Sequence, residues 1–442
     1  MPDNREIVLE ALLLHDKGEY ADKIIKSILD KYSYLERFER GFINRVFTGT
    51  VERRLSLDFI LNHYSTVKVN KQKPVIRAIL LMSAYQILFM EQIPDSAAIN
   101  EAVKLAKKKR FNGLTGFVNA VLRQISRNKE NIDSLFFELK CDEVKLFSAK
   151  YSCPEWLCKH YLSELGAKTT EQILINSLTD RKICARTNLS RISTDALIDK
   201  LTKEGIVCER IDGFDSFYIT ANEGLSNIDS FNQGLFCIQD LSSQRIVNDE
   251  VKERLKNAEL VIDVCAAPGG KTCHIADMAK FLNSGLKIIS RDLTDSKVEK
   301  IEENTDRCGF DNVSTCVWDA LREDESLLEK ADIVIADVPC SGLGVIGRKV
   351  DIKYRVQPED FKSLSSLQKE IIDVVSKYVK KGGMLIYSTC TVNNAENSEN
   401  AKWIEENLPF SLVSEEQYVN DNPDYDGFYI ARFVKNQVSN GI

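Results

Sequence analysis

Apolar side chains recur at helical spacing through the first part of the chain. One such run is Ile24, Ile25, Ile28 and Leu29, whose members fall three or four residues apart and so share one face of a helix. No strand-like alternation of apolar and polar residues interrupts this region. The pattern predicts that residues 1–138 form an all-α helical bundle.

Residues 139–235 show a different, mixed pattern. Residues 153–165 and Ser193–Glu204 keep helical spacing. Ile183–Thr187 and Phe217–Ile219 are short runs of apolar, aromatic and β-branched residues, which favour strands. This region is predicted to be a helical stretch followed by a small α+β module.

From residue 236 to about residue 436, short apolar strands alternate with helices. Parallel strands that are covered by helices on both faces have this nearly continuous apolar character. The pattern therefore predicts an α/β domain built on a parallel sheet. The predicted strands are Leu260–Val264, Lys287–Ser290, Val313–Val317, Ile333–Ala336 and Met384–Tyr387.

Two further predictions concern the end of this domain. Gly382-Gly383 follows the helical stretch Phe361–Lys380, and we expect it to end that helix because glycine is a common helix stop. The segments Phe410–Val413 and Gly427–Phe433 have strand character and are predicted to close the sheet as an antiparallel pair.

Charge is distributed unevenly along the 442 residues. Residues 1–140 carry 23 basic and 17 acidic side chains, a net charge of +6, whereas the remainder carries 36 and 49, a net charge of −13. A basic surplus in one domain favours nucleic-acid binding. No apolar run reaches the roughly 20 residues of a membrane helix, and the N-terminus does not resemble a signal peptide. We therefore expect a cytoplasmic protein with no membrane partner.

The twelve cysteines form no Cys-x-x-Cys pair, and the chain has only four histidines. Cys153, Cys158 and His160 have the wrong spacing for a zinc site. We therefore expect no metal. In a reducing compartment most of these thiols are expected to be small buried hydrophobic groups.

A turn rich in small residues follows the predicted strand Leu260–Val264. Glycine lets the backbone approach a ligand closely, and the helix that begins near Lys271 would aim its N–H groups at the same place. Ligands of parallel sheets bind beyond the carboxyl ends of the strands, so this turn is predicted to hold a cofactor. It consists of Cys265, Ala266, Ala267, Pro268, Gly269 and Gly270.

Two aspartates follow the next strands in the same manner. Asp292 lies 22 residues beyond Gly270, where a carboxylate can accept both hydroxyl protons of a ribose. Asp319 follows the third strand, where it could meet the exocyclic amine of adenine. Each aspartate taken singly could instead be a solvated loop residue or a helix cap. Their recurrence at successive strand ends favours a nucleotide site.

Two cysteines also follow predicted strands. Cys340 lies in Asp337-Val338-Pro339-Cys340-Ser341-Gly342, and Cys390 lies in Ser388-Thr389-Cys390-Thr391. Inert core cysteines are the alternative, but the proline and the turn residues around them favour exposed, reacting thiols. Lys271 could lower the pKa of a neighbouring thiol or pair with Asp337; alternatively it is a surface lysine.

Together these motifs resemble those of the RNA cytosine-C5 methyltransferases that use S-adenosylmethionine. The N-terminal region is similar to the RNA-binding factor NusB, in Arg45–Arg53 and in Phe117–Arg123. The combination resembles the bacterial RsmB (Sun/Fmu) family, which methylates 16S rRNA. The resemblance implies a NusB-like domain over 1–138, a small α+β module over 139–235 and a Rossmann-like methyltransferase domain over 236–436.

The resemblance also implies roles for individual residues. Cys390 would be the nucleophile that adds to C6 of cytosine, and Cys340 would act in the release step. Asp337 would stabilise the activated ring and lie near the cofactor. Spacing alone does not decide which cysteine attacks. The chain departs mildly from the family where Asn394-Ala395-Glu396-Asn397 replaces Pro-Glu-Glu-Asn.

An enzyme that acts on a base inside RNA needs contacts beyond its pocket. Runs of basic residues are candidates for these contacts, although such a run can equally be the solvated face of a helix. We expect 16S rRNA, free or in an assembling subunit, as the partner and a monomer as the oligomeric state. The candidate RNA-contacting residues are Arg348, Lys349, Lys353, Arg355, Lys107, Lys108, Lys109 and Arg110.

Two competing functions remain at this point. A non-catalytic RNA-binding assembly factor would keep the fold, but it should have lost at least one of Cys340, Cys390, Asp337 and Lys271. A methyltransferase acting on tRNA would keep the reaction. The NusB-like region favours rRNA, and the sequence does not locate the target cytosine.

Overall fold

The computed structural model describes residues 3–220, 224–282 and 285–437. Its N-terminal part is helical, as predicted. Helix packing buries a large apolar core there, in which the ring of Tyr85 lies so close to Gly49 that a Cβ on this glycine would fall 2.1 Å from it. The helices are α1 (Asn4–His15), α2 (Ala21–Lys31), α3 (Arg37–Glu52), α4 (Arg54–Tyr64), α5 (Pro74–Phe89), α6 (Asp95–Lys108), α7 (Thr115–Arg127), α8 (Ile132–Phe137), α9 (Glu143–Tyr151) and α10 (Glu155–Ser177).

The compact helical unit continues to Thr179, well beyond residue 138. Helices α9 and α10 pack within it, because α9 lies against α4 and α10 lies against α9. Phe59 of α4 also stacks on Phe136 of α8. Helix α10 is two helical segments that meet at Gly166, whose φ of 75° is non-helical. The predicted 139–235 region is therefore divided between the two compact units, at residue 179.

A small antiparallel sheet follows, with strand order β2-β3-β1-β4. Helix α11 is capped by the Ser193 side chain, which accepts from the Ala196 N–H, and packs Leu197 and Leu201 against the sheet. The α+β prediction holds here. The elements are β1 (Ile183–Thr187), α11 (Thr194–Lys203), β2 (Val207–Arg210), β3 (Ser216–Thr220), α12 (Asp229–Asn232), β4 (Phe236–Ile238) and α13 (Leu241–Gln244).

The remaining elements build a large mixed sheet of order β10-β11-β9-β8-β5-β6-β7. Strands β5 to β9 are mutually parallel, and β10 and β11 add antiparallel, as predicted. The elements are α14 (Asp249–Leu255), β5 (Leu260–Asp263), α15 (Gly270–Leu282), β6 (Lys287–Asp292), α16 (Asp295–Cys308), β7 (Val313–Val317), β8 (Ala331–Asp337), α17 (Ile352–Arg355), α18 (Pro358–Val375), β9 (Val379–Thr389), α19 (Ser398–Asn407), β10 (Phe410–Tyr418) and β11 (Phe428–Lys435).

Two apolar cores cover the two faces of this sheet. Ile333 and Ile335 of β8 belong to one core, whereas Val334 and Ala336 belong to the other. Successive strand residues point to opposite faces, so a strand buried on both sides has the continuous apolar sequence seen here. The Rossmann-like α/β architecture is thereby confirmed.

One prediction in this domain is wrong. Helix α18 ends at Val375, and Gly382-Gly383 lies inside strand β9. The pairing of β8 with β9 shifts register at this point, and Gly382 has a φ of +74°. A Cβ on Gly383 would fall 2.9 Å from the Lys380 carbonyl oxygen. The two glycines therefore allow the register shift within strand β9 and do not end a helix.

Residues 346–356, which include α17, belong to the helical unit although they follow β8 in the chain. The Asp351 carboxylate accepts from the Ala21 N–H, and the Tyr354 hydroxyl contacts Ser152. Within the described residues, no helix is long and apolar enough to cross a membrane.

Candidate active site

The carboxyl ends of the central parallel strands carry the predicted site residues. Strand β8 ends at Asp337, and its neighbour β9 pairs Ser388 with that residue. Cys340 lies three residues beyond Asp337, and Cys390 lies two beyond Ser388. Parallel neighbours present their carboxyl ends at one edge of a sheet, so the two loops must meet.

The two thiols do meet. The Sγ atoms of Cys340 and Cys390 lie 3.2 Å apart, and both residues are partly exposed. The hydrogen bond between the two thiol groups, followed by burial, raises the pKa of Cys340 well above its ordinary value. Cys340 is therefore held in its protonated form.

An ion pair lies beside the thiols. The Lys271 Nζ donates to the Asp337 carboxylate at 2.6 Å, and the Ser388 hydroxyl donates to its other oxygen at 2.8 Å. Burial alone would lower the pKa of Lys271, but the charge and hydrogen bond of Asp337, together with the charges of Asp263 and Cys390, outweigh burial and raise it. The Lys271 ammonium also lies 5.1 Å from the centre of the Phe428 ring. It is thus fixed as a cation within electrostatic range of Cys390.

A buried carboxylate, that of Glu396, accepts hydrogen bonds that hold the Cys340 loop. Glu396, fully buried, accepts from the Ser341 N–H at 2.9 Å, from Gln368 at 2.8 Å and from Asn393 at 3.1 Å. Gln368 also donates to the carbonyl of Pro339, so both residues that flank Cys340 are held. Burial raises the pKa of Glu396, although its donors oppose that change.

The Cys390 loop is held by backbone contacts. The Gly344 N–H donates to the carbonyl of Cys390 at 3.0 Å, and the Gly427 N–H donates to the carbonyl of Gly344 at 2.9 Å. A Cβ on Gly344 would lie 2.0 Å from the Gly427 oxygen, so only glycine fits. Thr391 completes the arrangement, because its hydroxyl contacts that of Ser341 at 2.8 Å.

The predicted cofactor turn joins β5 to α15. Gly269 has a φ of +99°, a left-handed conformation that favours glycine, and a Cβ there would lie 3.3 Å from the backbone of Ile301. The Ala266 N–H donates to the carbonyl of Arg291, and the peptide bond from Ala267 to Pro268 is cis. The turn leads directly into α15, whose first N–H groups have no partner within the helix.

Asp292 lies where the sequence placed it, at the end of β6. Its carboxylate accepts from the Ala267 N–H at 3.0 Å and from Lys297 at 2.8 Å, and the residue is 5% exposed. Asp319 is exposed and accepts from the Leu321 N–H. This contact is typical of a solvated loop residue, the alternative role that the sequence left open for this aspartate. The structure thus links Asp292, but not Asp319, to the cofactor turn.

Sequence reasoning missed Asp263, the last residue of β5. Its Oδ2 accepts from the Thr272 hydroxyl at 2.7 Å, whereas its Oδ1 is buried without a partner. Burial raises the pKa of Asp263 to about 7. A carboxylate inside an otherwise apolar strand was the available signal. Gln368 gave no such signal, because it is an ordinary polar residue of a helix.

The basic candidates after β8 belong to the helical unit. Lys353 is 1% exposed, which argues against contact with phosphate, and burial lowers its pKa to about 8. Arg355 pairs with Asp351 at 2.6 Å and donates to the carbonyls of Gly18 and Glu19. We therefore withdraw Lys353 as an RNA contact, and Arg355 is occupied by structural bonds.

The other basic candidates lie on the surface. Arg348 and Lys349 are exposed, as are Lys107 and Arg110 near the end of α6. Lys108 and Lys109 both pair with Glu6, each at 2.6 Å. Surface pairs of this kind contribute little stability, so both ammonium groups can exchange Glu6 for another anion.

Comparison with known proteins now gives the family. Residues 253–434 match the model of the 16S rRNA methyltransferase RsmB/F family, residues 2–127 match the NusB family, and residues 153–217 match an RsmF/B-like ferredoxin-like domain.

A "Probable ribosomal RNA small subunit methyltransferase B" of Bacillus subtilis (strain 168) is 36% identical over 397 residues, which are 89% of this chain and 86% of that protein. The Vibrio vulnificus (strain YJ016) protein named ribosomal RNA small subunit methyltransferase B is 28% identical, covering 90% and 91%. The crystal structure of PH0851 shares the fold, with a TM-score of 0.78, 23% identity and coverage of 98% and 99%. The chain belongs to the RsmB/F family of S-adenosylmethionine-dependent rRNA methyltransferases.

Proposed function

We propose that this protein methylates C5 of a cytosine in small-subunit rRNA through a covalent bond between Cys390 and C6 of the base. The observation that carries this proposal is the pair of thiols, 3.2 Å apart, beside the ion pair of Lys271 with Asp337. Two thiols at adjacent strand ends can divide a reaction into one step of addition and one of release.

The reaction needs a thiolate because C5 of cytosine is too electron-poor to attack a methyl group by itself. The Cys390 thiolate forms a bond to C6, and the displaced electron pair makes C5 nucleophilic. After C5 has been methylated, a base removes the C5 proton. The double bond between C5 and C6 re-forms, and the bond between sulfur and C6 breaks.

Electrostatics supports Cys390 as the nucleophile. The Lys271 ammonium lies within range of Cys390 and favours a thiolate there, since a nearby cation stabilises the charged form. Cys340 holds its proton and can donate it as a hydrogen bond toward the Cys390 sulfur. The family resemblance assigns the same roles.

The same contacts give Cys340 a role after addition. The largest cause of its raised pKa is the hydrogen bond with Cys390. Once the Cys390 sulfur is bonded to carbon it carries no negative charge, so that hydrogen bond no longer holds the proton on Cys340. Cys340 would then be able to act as a base, directly or through water, at the stage when the C5 proton must leave.

Asp337 is held by two donors, Lys271 and Ser388. We place its carboxyl group at the N3 edge of the cytosine. Addition of a thiolate to C6 puts negative charge on the ring, and a proton or hydrogen bond at N3 stabilises that charge. Lys271 would supply the counter-charge that keeps this carboxyl group in place.

The residues at the strand ends fit S-adenosylmethionine. Asp292 offers a carboxylate to ribose hydroxyls, Gly269 supplies the left-handed backbone that the turn needs, and Asp263 has an unpartnered buried oxygen near the start of α15. When bound there, the cofactor supplies an electrophilic methyl group. Asp319 and the remaining turn residues Cys265, Ala266, Ala267, Pro268 and Gly270 stay proposed contacts.

Two alanine variants test the roles of the thiols. Cys390→Ala should abolish methyl transfer and form no adduct. Cys340→Ala should add to RNA but release it slowly, so a protein–RNA band should persist on a denaturing gel. If the band appeared with Cys390→Ala instead, the two roles would be reversed. If neither variant lost activity, the covalent mechanism would be wrong.

The substrate needs a separate test. In a strain that lacks the gene, bisulfite sequencing of rRNA and tRNA should show that one cytosine in small-subunit rRNA has lost its protection. The wild-type gene should restore the protection of that cytosine, and the Cys390→Ala gene should not. Loss of protection in tRNA alone would overturn the proposed substrate while leaving the chemistry intact.

A further inference from the structure

A second group of cysteines lies away from the reacting pair, inside the same compact unit. Cys237 of β4, Cys273 of α15 and Cys308 at the end of α16 are all buried, and their three Sγ atoms lie within 4.8 Å of one another. The Sγ atoms of Cys237 and Cys308 are 3.2 Å apart. Three separate elements thus bring three thiols to one point, although the sequence contains no metal-binding spacing.

We propose that Cys237, Cys273 and Cys308 form a three-coordinate site for a soft monovalent metal ion, Cu(I). Thiolates are the ligands that such ions prefer. Among the described residues, no further His, Cys, Asp or Glu donor joins this group. Zinc sites of structural type are almost always four-coordinate, so a set of three sulfurs in a dry environment fits Cu(I) better.

The distances allow this with a small adjustment. A metal–sulfur bond of about 2.3 Å and trigonal geometry place the sulfurs roughly 4 Å apart. The three sulfurs already lie within 4.8 Å, and the pair of Cys237 with Cys308 would open by less than about 1 Å. Rotation of a cysteine side chain is enough for such a change.

Charge also favours anionic ligands here. Cu(I) bound to three thiolates leaves a charge of −2 after three thiol protons have been released. The guanidinium groups of Arg186 and Arg307 both lie within electrostatic range of the Cys237 sulfur and supply positive charge beside the site. Arg186 shares its charge with Asp277, but its buried Nη2 has no hydrogen-bond partner.

The test uses full-length protein in which both reacting thiols are replaced, Cys340→Ser with Cys390→Ser, because that pair would itself bind Cu(I). This background and the same protein with Cys273→Ala are purified anaerobically and equilibrated overnight with Cu(I) and a chromophoric Cu(I) chelator. The background should hold one more equivalent of Cu(I) than the Cys273→Ala protein. X-ray absorption spectroscopy of the extra copper bound by the background protein should show three sulfur ligands.

A matched control is Cys316→Ser, which changes a half-buried thiol of β7 outside the group. It should keep the full equivalent. Circular dichroism and thermal unfolding show whether Cys273→Ala is folded, and Cys308→Ala provides a second variant if it is not. Equal copper binding with and without Cys273, or copper with only two sulfur ligands, would overturn the site. Zinc with a fourth ligand in place of copper would overturn the three-coordinate assignment.

Discussion

Two pairs of thiols in this chain have the same separation and different surroundings. The sulfurs of Cys340 and Cys390 are 3.2 Å apart, and so are those of Cys237 and Cys308. The first pair is partly exposed at the carboxyl ends of adjacent strands, beside Lys271. The second pair is 4% and 1% exposed, between a strand and the end of a helix. Separation alone therefore does not identify a reacting thiol.

Access and charge make the difference. A nucleophilic thiol must be able to reach its substrate as a thiolate, which requires an opening and a nearby cation. Cys390 has both. Cys237 has nearby cations but no opening, which is the environment of a ligand or a packed side chain rather than of a nucleophile.

The largest expected effect comes from exchanging one sulfur for oxygen in each pair. Cys390→Ser should reduce methyl transfer by at least about 10³-fold, since the nucleophile is lost. Cys308→Ser should leave the rate within about threefold once it is corrected for the folded fraction, because it removes no group near the strand ends. Initial rates with radiolabelled S-adenosylmethionine measure both. Equal losses would remove the distinction between the pairs.

The cation beside the first pair is the next point to change. Lys271→Met leaves the Asp337 carboxylate without its ionic partner and removes the charge that favours the Cys390 thiolate. We expect a loss of about 10²-fold in rate and a shift of the pH–rate profile to higher pH. Lys271→Arg keeps the charge and should lose less. An unshifted profile for Lys271→Met would show that the lysine does not act on the thiol.

Much of the fold could be predicted because its signals are local. Alternation between strands and helices identified the sheet, and the strand ends located Cys340, Cys390 and Asp292. Gly382-Gly383 was misinterpreted because the same glycine pair suits a helix end and a strand irregularity, and only the register of β8 with β9 distinguishes them.

The rest of the site depends on contacts between distant parts of the chain. Glu396 in the turn before α19 and Gln368 in helix α18 hold the Cys340 loop, and no spacing along the sequence links them. The cluster of Cys237, Cys273 and Cys308 was missed for the same reason, since its members are 36 and 35 residues apart. Lys353 was misplaced because sequence does not show which lysines become buried.

Asp263 tests whether burial raises the pKa of a carboxyl group as it raises the pKa of a thiol. Its pKa is raised to about 7, so between about pH 4 and pH 7 the folded state binds more protons than the unfolded state. The stability that Asp263 contributes is therefore full below about pH 4 and is lost as the pH rises through about 7. Asp263→Asn should remove this dependence, which is about 2–3 kcal/mol between pH 5 and pH 7.

Urea unfolding of wild type and Asp263→Asn at both pH values measures that difference. Asp319→Asn is the matched control, because Asp319 is exposed and should leave the wild-type slope unchanged. If Asp263→Asn kept the full slope, the buried carboxyl group would not be its source.

The smallest expected effect contrasts an exposed and a buried lysine of the helical unit. Lys107 is exposed near the end of α6, whereas Lys353 is 1% exposed and has its pKa lowered to about 8 by burial. If Lys107 contacts an RNA phosphate, Lys107→Ala should lower the slope of log affinity against log salt by about 0.7–0.9. Lys353→Met should leave that slope unchanged and stabilise the fold at pH 7, because it removes a buried charge without a hydrogen-bond partner. Filter binding to a small-subunit rRNA fragment at several salt concentrations measures both slopes. A reduced slope for Lys353→Met would mean that this lysine leaves its buried position to reach RNA, and burial would then not separate structural cations from binding ones in this chain.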